Sequence, residues 1–187
     1  EKGLHLLADA WRQLSPAFPE WRLEIAGPHS TAHGGGGEGY LQELREQFGE
    51  APVRWHGAVN EVGALEQLYA RAAVFVYPSV AEKGETFGLA PLEAMAYGAV
   101  PVVSALTCFR EFLKPDQNGL VFDHRSADPV AQLVNCLRVL MESPERRDAI
   151  AWAAFKDAQA FAPDKIAQQF LDLFEELMRN SNAALIA

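Results

Sequence analysis

Two glutamates, Glu85 and Glu93, stand eight positions apart where a loop turns into a helix. Carboxylates accept hydrogen bonds from hydroxyl groups, and the N–H groups at a helix N-terminus favour an anion. Between the two glutamates, Gly88 leaves the backbone open to close approach, since it has no side chain. This spacing predicts a site for a ligand that carries both phosphate and sugar hydroxyls.

The elements that hold this segment alternate between strand and helix patterns, which predicts an α/β fold with a Rossmann-like parallel sheet covered by helices on both faces. The continuous apolar run Val74–Tyr77 is expected at the centre of the sheet, because central parallel strands are buried on both faces. The predicted strands are Trp21–Ala26, Val53–His56, Val74–Tyr77, Val100–Val103 and Leu120–Phe122.

Helical spacing of apolar residues marks the connections between these strands and the C-terminal third of the chain. Pro91 is predicted to open the helix that carries Glu93, since proline at the first helical position loses no hydrogen bond. The other predicted helices carry Leu4, Leu7, Trp11 and Leu14; Tyr40–Phe48; Leu65, Leu68, Tyr69 and Ala72; Val130, Leu133, Val134 and Leu137; Ile150–Phe155; and Ile166, Phe170, Leu173, Phe174 and Leu177.

Composition excludes several classes of protein. A formal net charge of -9 over 187 residues argues against non-specific nucleic-acid binding, which needs a basic surface. No transmembrane segment or signal peptide is predicted, so a cytoplasmic location is expected. Cys108 and Cys136 are interpreted as reduced thiols, since two cysteines do not make a disulfide framework. No metal site is predicted, and the glycines 34–37 lack the Gly-Lys-Ser/Thr of a phosphate loop.

The motifs form one ordered series. Tyr77-Pro78-Ser79 ends a strand, the two glutamates follow with Ala94-Met95-Ala96, then Pro101-Val102-Val103, and finally 118–122 reads Asn-Gly-Leu-Val-Phe. This series resembles the C-terminal, donor-binding domain of retaining nucleotide-sugar glycosyltransferases of family 4 (group 1), which have the GT-B fold. The resemblance runs from Glu1-Lys2-Gly3 to about residue 122.

The resemblance implies roles for individual residues. Glu85 faces the donor sugar and steadies positive charge at the anomeric carbon, which makes it the predicted catalytic residue. Glu93 accepts from the ribose hydroxyls, or else only complements the helix dipole. Lys2 binds the diphosphate, or else is an exposed terminal lysine. The remaining donor-binding residues, through their backbone, are Thr86, Phe87, Gly88 and Leu89. Neither a cofactor nor a metal is implied.

The resemblance also implies a division of labour within a longer enzyme. Residues 1–125 form the nucleotide-sugar-binding core without its first strand, and residues 126–187 form C-terminal helices that complete the same domain. An N-terminal domain would bind the acceptor, so this chain is expected to be inactive alone. That domain is also the route by which a cytoplasmic enzyme could sit peripherally at a membrane. The alternative is a natural single-domain relative.

One segment departs from the family pattern. Thr107-Cys108-Phe109-Arg110-Glu111 stands where the family has a Gly-Gly pair shortly before a glutamate. Side chains then occupy positions that are glycine in the family. The form of the sugar pocket and the activity of the enzyme are therefore left undecided by the sequence. The alternatives are therefore a non-catalytic binding or interaction domain and a GT-B-like sugar-nucleotide epimerase. A phosphorylase is disfavoured, because no lysine has a recognisable context for pyridoxal phosphate.

Overall fold

The computed structural model describes residues 1–61 and 63–184. The helices are α1 (Leu4–Leu14), α2 (Gly37–Phe48), α3 (Ala64–Arg71), α4 (Leu89–Ala96), α5 (Pro129–Glu142), α6 (Pro144–Ala158) and α7 (Pro163–Ala184). The strands are β1 (Leu23–Ala26), β2 (Val53–Gly57), β3 (Val74–Tyr77), β4 (Val100–Ser104) and β5 (Leu120–Phe122). Short 3-10 turns lie at Thr31–His33, Thr107–Glu111 and Gln159–Phe161.

The strands form two parallel ladders. Strand β1 pairs with β2, and β3, β4 and β5 pair in that order. The predicted central position of Val74–Tyr77 is wrong among the described strands, because β4 is the strand bonded on both edges. A continuous apolar run reports burial of the two faces and not the number of hydrogen-bonded edges. Every residue of β4 is buried, whereas those of β3 are only partly buried.

Helices cover both faces of the β3–β5 ladder, as predicted. Val102 of β4 packs in a core cluster with residues of α1 and α5. Its neighbour Val103 packs in a second cluster with residues of α4 and α6. Successive residues of a strand point to opposite faces, so the two helix pairs lie on opposite sides of the ladder. The α/β class with a parallel, two-sided arrangement is therefore confirmed.

Several predicted boundaries shift by a few residues. Helix α4 begins at Leu89, so Pro91 is its third residue and not its first as predicted. The first four N–H groups of a helix lack intrahelical partners, so proline fits the third position as well as the first. Strand β1 begins at Leu23, two residues after the predicted start at Trp21. The predicted division after residue 125 stays a prediction, and residues 185–187 lie outside the described part of the chain.

A buried asparagine fixes the loop between β4 and β5. Asn118 is fully buried. Its side-chain amide donates to the Phe112 carbonyl at 2.9 Å and to Asp157 Oδ2 on α6 at 2.8 Å. Its Oδ1 accepts from the Lys114 N–H at 2.7 Å. One side chain thereby joins two points of the loop to a helix.

Replacement of Asn118 by alanine is expected to lower the free energy of unfolding by about 3 kcal/mol, because three partners lose a hydrogen bond in a buried place. Urea unfolding followed by tryptophan fluorescence measures the change. The control is Gln117→Ala, since Gln117 is the exposed neighbour. Equal stabilities of the two variants would show that Asn118 does not fix this loop.

Candidate functional site

The site lies at the carboxyl ends of β3 and β4. The chain leaves β3 at Tyr77 and reaches α4 through the loop 78–88. Ser104, the last residue of β4, donates its hydroxyl to the Ser79 carbonyl. The Val80 N–H donates to the Glu1 carbonyl at 2.8 Å. The start of the loop is thus held by the neighbouring strand and by the N-terminal residues.

Lys2, Tyr77 and Glu85 meet at this edge and form what we call the Lys–Tyr–Glu cluster. Lys2 Nζ lies 2.8 Å from Glu85 Oε2 and donates to Tyr77 Oη at 2.6 Å. Tyr77 Oη in turn donates to the same Glu85 oxygen at 3.0 Å. The lysine side chain is 57% exposed, whereas that of Glu85 is 12% exposed. The cluster therefore consists of a sheltered carboxylate paired with a more exposed cation.

Charge and burial act together on these groups. Burial lowers the pKa of the Lys2 ammonium, but hydrogen bonds to Glu85 and Tyr77 outweigh it and raise this pKa above its ordinary value. Burial raises the pKa of the Tyr77 phenol. At neutral pH, Lys2 is therefore a cation and Tyr77 is a neutral hydroxyl that can both donate and accept.

Gly3 sets the position of Lys2. Its φ of 66° is left-handed, and a Cβ at Gly3 would lie 1.8 Å from the carbonyl oxygen of Pro78. The Gly3 carbonyl accepts from the Leu6 N–H at 3.0 Å, which starts α1. The N-terminus of α1 therefore abuts the end of β3. Its positive dipole end lies at the same edge as the cluster.

The segment 86–89 leads into α4. Phe87 turns its ring into the core, with ring centroids 5.2 Å from Phe112 and 5.9 Å from Phe161. Gly88 has a φ of 93° and precedes the first residue of α4. Thr86 and Leu89 are exposed, and Leu89 shows 65% of its surface. Thr86 and Leu89 are thus the exposed residues at the helix N-terminus, whereas Gly88 is buried between them.

Glu93 lies one turn into α4 and is held separately from the Lys–Tyr–Glu cluster. Tyr69 of α3 donates its hydroxyl to Glu93 Oε2 at 3.1 Å. Burial raises the pKa of the Tyr69 phenol, and the charge of Glu93 adds to this. Among the described residues, Glu93 Oε1 has no hydrogen-bond partner. That oxygen is available to accept from a ligand hydroxyl.

The departing segment Thr107–Glu111 forms a 3-10 turn beside Gly88. Phe109 is buried, and its Cε1 would lie 2.5 Å from a Cβ at Gly88. The same ring packs edge-on against Tyr77, with centroids 6.0 Å apart. Cys108 is partly buried, which raises the pKa of its thiol. The expectation that Gly88 leaves the backbone open to close approach is therefore wrong on this side, because the Phe109 ring fills the space where a side chain would stand and Gly88 is buried.

A second contact ties the loop to the end of β5. Glu82 is bound by Arg125, with Nε to Oε1 at 2.6 Å, and by His124 Nε2 at 2.8 Å. Hydrogen bonds from Arg125 and then His124 lower the pKa of the Glu82 carboxyl. Arg125 also donates to the Ala105 carbonyl at 3.1 Å. The loop is thus attached to the carboxyl ends of three strands.

Sequence reasoning missed the two tyrosines that hold the glutamates. The sequence pattern assigns Tyr77 to the end of an apolar strand and Tyr69 to the apolar face of a helix. The sequence does give a reason to single out Tyr77, because a hydroxyl at the carboxyl end of a parallel strand lies where such sheets bind ligands. No comparable signal marks Tyr69, whose partner is set by the packing of α3 on α4.

Two further observations apply to the described part of the chain. Within residues 1–61 and 63–184, no group of three or more His, Cys, Asp or Glu side chains is arranged to hold a metal ion. None of the described helices is long and apolar enough to span a membrane.

Curated relatives match nearly the whole chain. It is 28% identical over 183 residues to the lipopolysaccharide core biosynthesis mannosyltransferase LpsB of Rhizobium meliloti, covering 96% of this chain and 49% of that protein. It is also 28% identical over 177 residues to a phosphatidyl-myo-inositol mannosyltransferase of Mycobacterium tuberculosis, covering 93% and 43%. The chain therefore spans about half the length of these relatives.

Solved structures share the fold. Alr3699/HepE of Anabaena, crystallised in complex with UDP, superposes with a TM-score of 0.77 at 23% identity, covering 94% of this chain and 45% of that one. The C-terminal domain of the group 1 glycosyl transferase LpcC of Francisella tularensis superposes with a TM-score of 0.72 at 21% identity, covering 88% and 80%. The sequence pattern of the family Glycosyl transferases group 1 matches residues 1–157. The chain belongs to the glycosyl transferases group 1 family.

Proposed function

We propose that this chain binds a nucleoside-diphosphate sugar as the donor-binding domain of a retaining glycosyltransferase of family 4. The observation that carries the proposal is the Lys–Tyr–Glu cluster, which places a cation and a sheltered carboxylate side by side at the carboxyl edge of a parallel sheet. Open α/β sheets bind ligands at this edge. A protein of similar fold supports it, since HepE was crystallised in complex with UDP-glucose.

The roles follow from charge and position. The Lys2 ammonium and the positive end of α4 neutralise the diphosphate, so no metal or cofactor is needed. Glu93 accepts from the ribose through Oε1, while Tyr69 occupies Oε2. Glu85 faces the sugar, where its negative charge stabilises positive charge that develops at the anomeric carbon. The backbone of residues 86–89 approaches the phosphate and the sugar.

Transfer itself is assigned to a longer enzyme. The chain spans about half the length of its curated relatives. The acceptor site and the remaining catalytic groups are therefore placed in the other half. On this proposal the chain alone binds the donor without transferring its sugar.

Calorimetric titration tests the proposal with UDP, UDP-glucose, GDP and GDP-mannose, each in the presence of EDTA. Binding of a nucleotide-sugar without metal supports the donor-binding function. Absence of binding by all four probes would leave a non-catalytic interaction domain as the better interpretation.

Glu85→Gln separates the sugar from the diphosphate. We expect the ratio of the nucleoside-diphosphate Kd to the nucleotide-sugar Kd to fall about tenfold, since a charge-assisted hydrogen bond to the sugar is lost. Affinity for the diphosphate alone is expected to hold or rise, because Lys2 is released from its ion pair. Calorimetry measures both constants.

The matched control is Glu50→Gln, an exposed glutamate in the turn before β2, at the amino end of a strand in the other ladder. It is expected to leave both constants unchanged. Equal weakening of both ligands by Glu85→Gln would contradict the assignment of Glu85 to the sugar.

A further inference from the structure

Tyr77 stands between the two groups that the proposed function assigns to different parts of the donor. Its hydroxyl accepts from Lys2 at 2.6 Å and donates to Glu85 at 3.0 Å. Lys2 Nζ also lies 5.0 Å from the centre of the Tyr77 ring. The tyrosine therefore contacts both the cation and the carboxylate of the cluster.

The Tyr77 ring is fixed by its neighbours. It stacks on Phe75 with a centroid distance of 6.2 Å and an interplanar angle of 15°. Phe109 meets it edge-on at 6.0 Å. Tyr77 ends β3, whose backbone is bonded to β4. Its hydroxyl is thus held in place by strand and ring contacts, independently of Lys2.

Lys2 and Glu85 form an ion pair at 2.8 Å. The two hydrogen bonds to the Glu85 carboxylate, one from Lys2 and one from Tyr77, both use Oε2, and within the described residues Oε1 has no hydrogen-bond partner. A lysine that turns toward a diphosphate leaves Oε2, and it can do so because its long side chain is 57% exposed. Glu85 then keeps one protein donor, the Tyr77 hydroxyl.

We propose that Tyr77 is the positioning residue that holds Glu85 toward the sugar when Lys2 turns to the diphosphate. Tyr77 occupies Oε2, which leaves Oε1 to accept from a sugar hydroxyl. The neutral phenol suits this part, since it adds no charge that would compete with the sugar. This inference rests on the proposed donor-binding function.

The variant Tyr77→Phe removes the hydroxyl and keeps the ring contacts. We expect the ratio of the nucleoside-diphosphate Kd to the nucleotide-sugar Kd to fall about fivefold, as for the loss of one hydrogen bond. The diphosphate Kd itself is expected to stay within about twofold, since that ligand does not contact Glu85. Probes are UDP with UDP-glucose, or GDP with GDP-mannose, whichever pair the unsubstituted chain binds.

A double variant and a control variant test whether Tyr77 acts through Glu85. The double variant Tyr77→Phe with Glu85→Gln is expected to show the ratio of Glu85→Gln alone, because Tyr77 acts through that carboxylate. Tyr69→Phe is the matched control, since it removes the equivalent hydroxyl from Glu93. It is expected to weaken both ligands equally and to leave the ratio unchanged.

The outcomes separate this inference from the function on which it rests. An unchanged ratio in Tyr77→Phe, or effects that multiply in the double variant, would overturn the positioning role while leaving donor binding intact. Failure of the unsubstituted chain to bind any of the four probes would overturn the proposed function, and the role of Tyr77 with it.

Discussion

Replacement of Gly3 by alanine is expected to detach Lys2 from the site and to weaken nucleoside-diphosphate binding at least about tenfold. The left-handed φ of 66° costs an L-residue about 1–2 kcal/mol. A Cβ would also lie 1.8 Å from the Pro78 carbonyl oxygen, a backbone atom that cannot turn aside. The strand end and the N-terminal residues must then separate. Calorimetry with the diphosphate measures the loss.

Gly49→Ala is the matched control for backbone strain. Gly49 has a φ of 57°, and the nearest atom to a Cβ there, the Glu46 carbonyl oxygen, is 3.8 Å away. With a ψ of -127° Gly49 also has a backbone conformation that disfavours a side chain, so this variant carries a conformational cost without the clash. The position follows α2, away from the site. It is expected to lower stability but to keep diphosphate affinity. Wild-type affinity in Gly3→Ala would show that Lys2 needs no such anchor.

Glu93→Gln is expected to weaken the nucleoside diphosphate and the nucleotide-sugar by a similar factor, about tenfold to a hundredfold. The carboxylate that accepts from ribose hydroxyls loses its charge, and charge-assisted hydrogen bonds contribute about 1.5–3 kcal/mol. The amide oxygen of glutamine can still accept from Tyr69, so the fold is preserved. Affinities for both ligands, measured by calorimetry, decide the result.

A deoxyribose ligand provides an independent check on Glu93. If Glu93 binds the ribose, the 2′-deoxy form of whichever diphosphate the unsubstituted chain binds, UDP or GDP, should bind more weakly than the ribose form. The loss caused by Glu93→Gln should then be smaller for the deoxy ligand. A variant that binds that diphosphate as tightly as the unsubstituted chain would reduce Glu93 to a residue that complements the helix dipole.

The sequence predicts the limits of individual strands better than it predicts which strands pair with one another. The predicted limits of β3 and β5, Val74–Tyr77 and Leu120–Phe122, agree with the structure, because short apolar runs bounded by turn residues leave little choice. The order of the strands in the sheet is harder to predict, since it depends on pairing between segments far apart in the sequence. Val74–Tyr77 therefore looked central although β4 has more partners.

At the candidate site, too, some residues can be predicted from the sequence and others cannot. A motif places Glu85 and Glu93 around a helix start, and the surrounding motif residues, more than the spacing of the two glutamates, identify them. The contacts of Tyr77 and Tyr69 depend on how a strand and a helix meet residues far along the chain, and an aromatic residue in an apolar pattern indicates only the core. The turn Thr107–Glu111 looked like an obstruction to the sugar pocket, whereas Phe109 turns inward and supports Gly88.

Helix α7 sets a limit on cooperativity. Every residue from 167 to 179 is exposed, including Phe170 and Phe174 on its apolar side. A helix with so little burial is held mainly by its own propensity, so we expect α7 to melt separately from the core and the chain not to unfold as a single two-state unit. The four tryptophans all precede α7. Their fluorescence therefore follows the α/β core, whereas far-ultraviolet ellipticity combines two transitions.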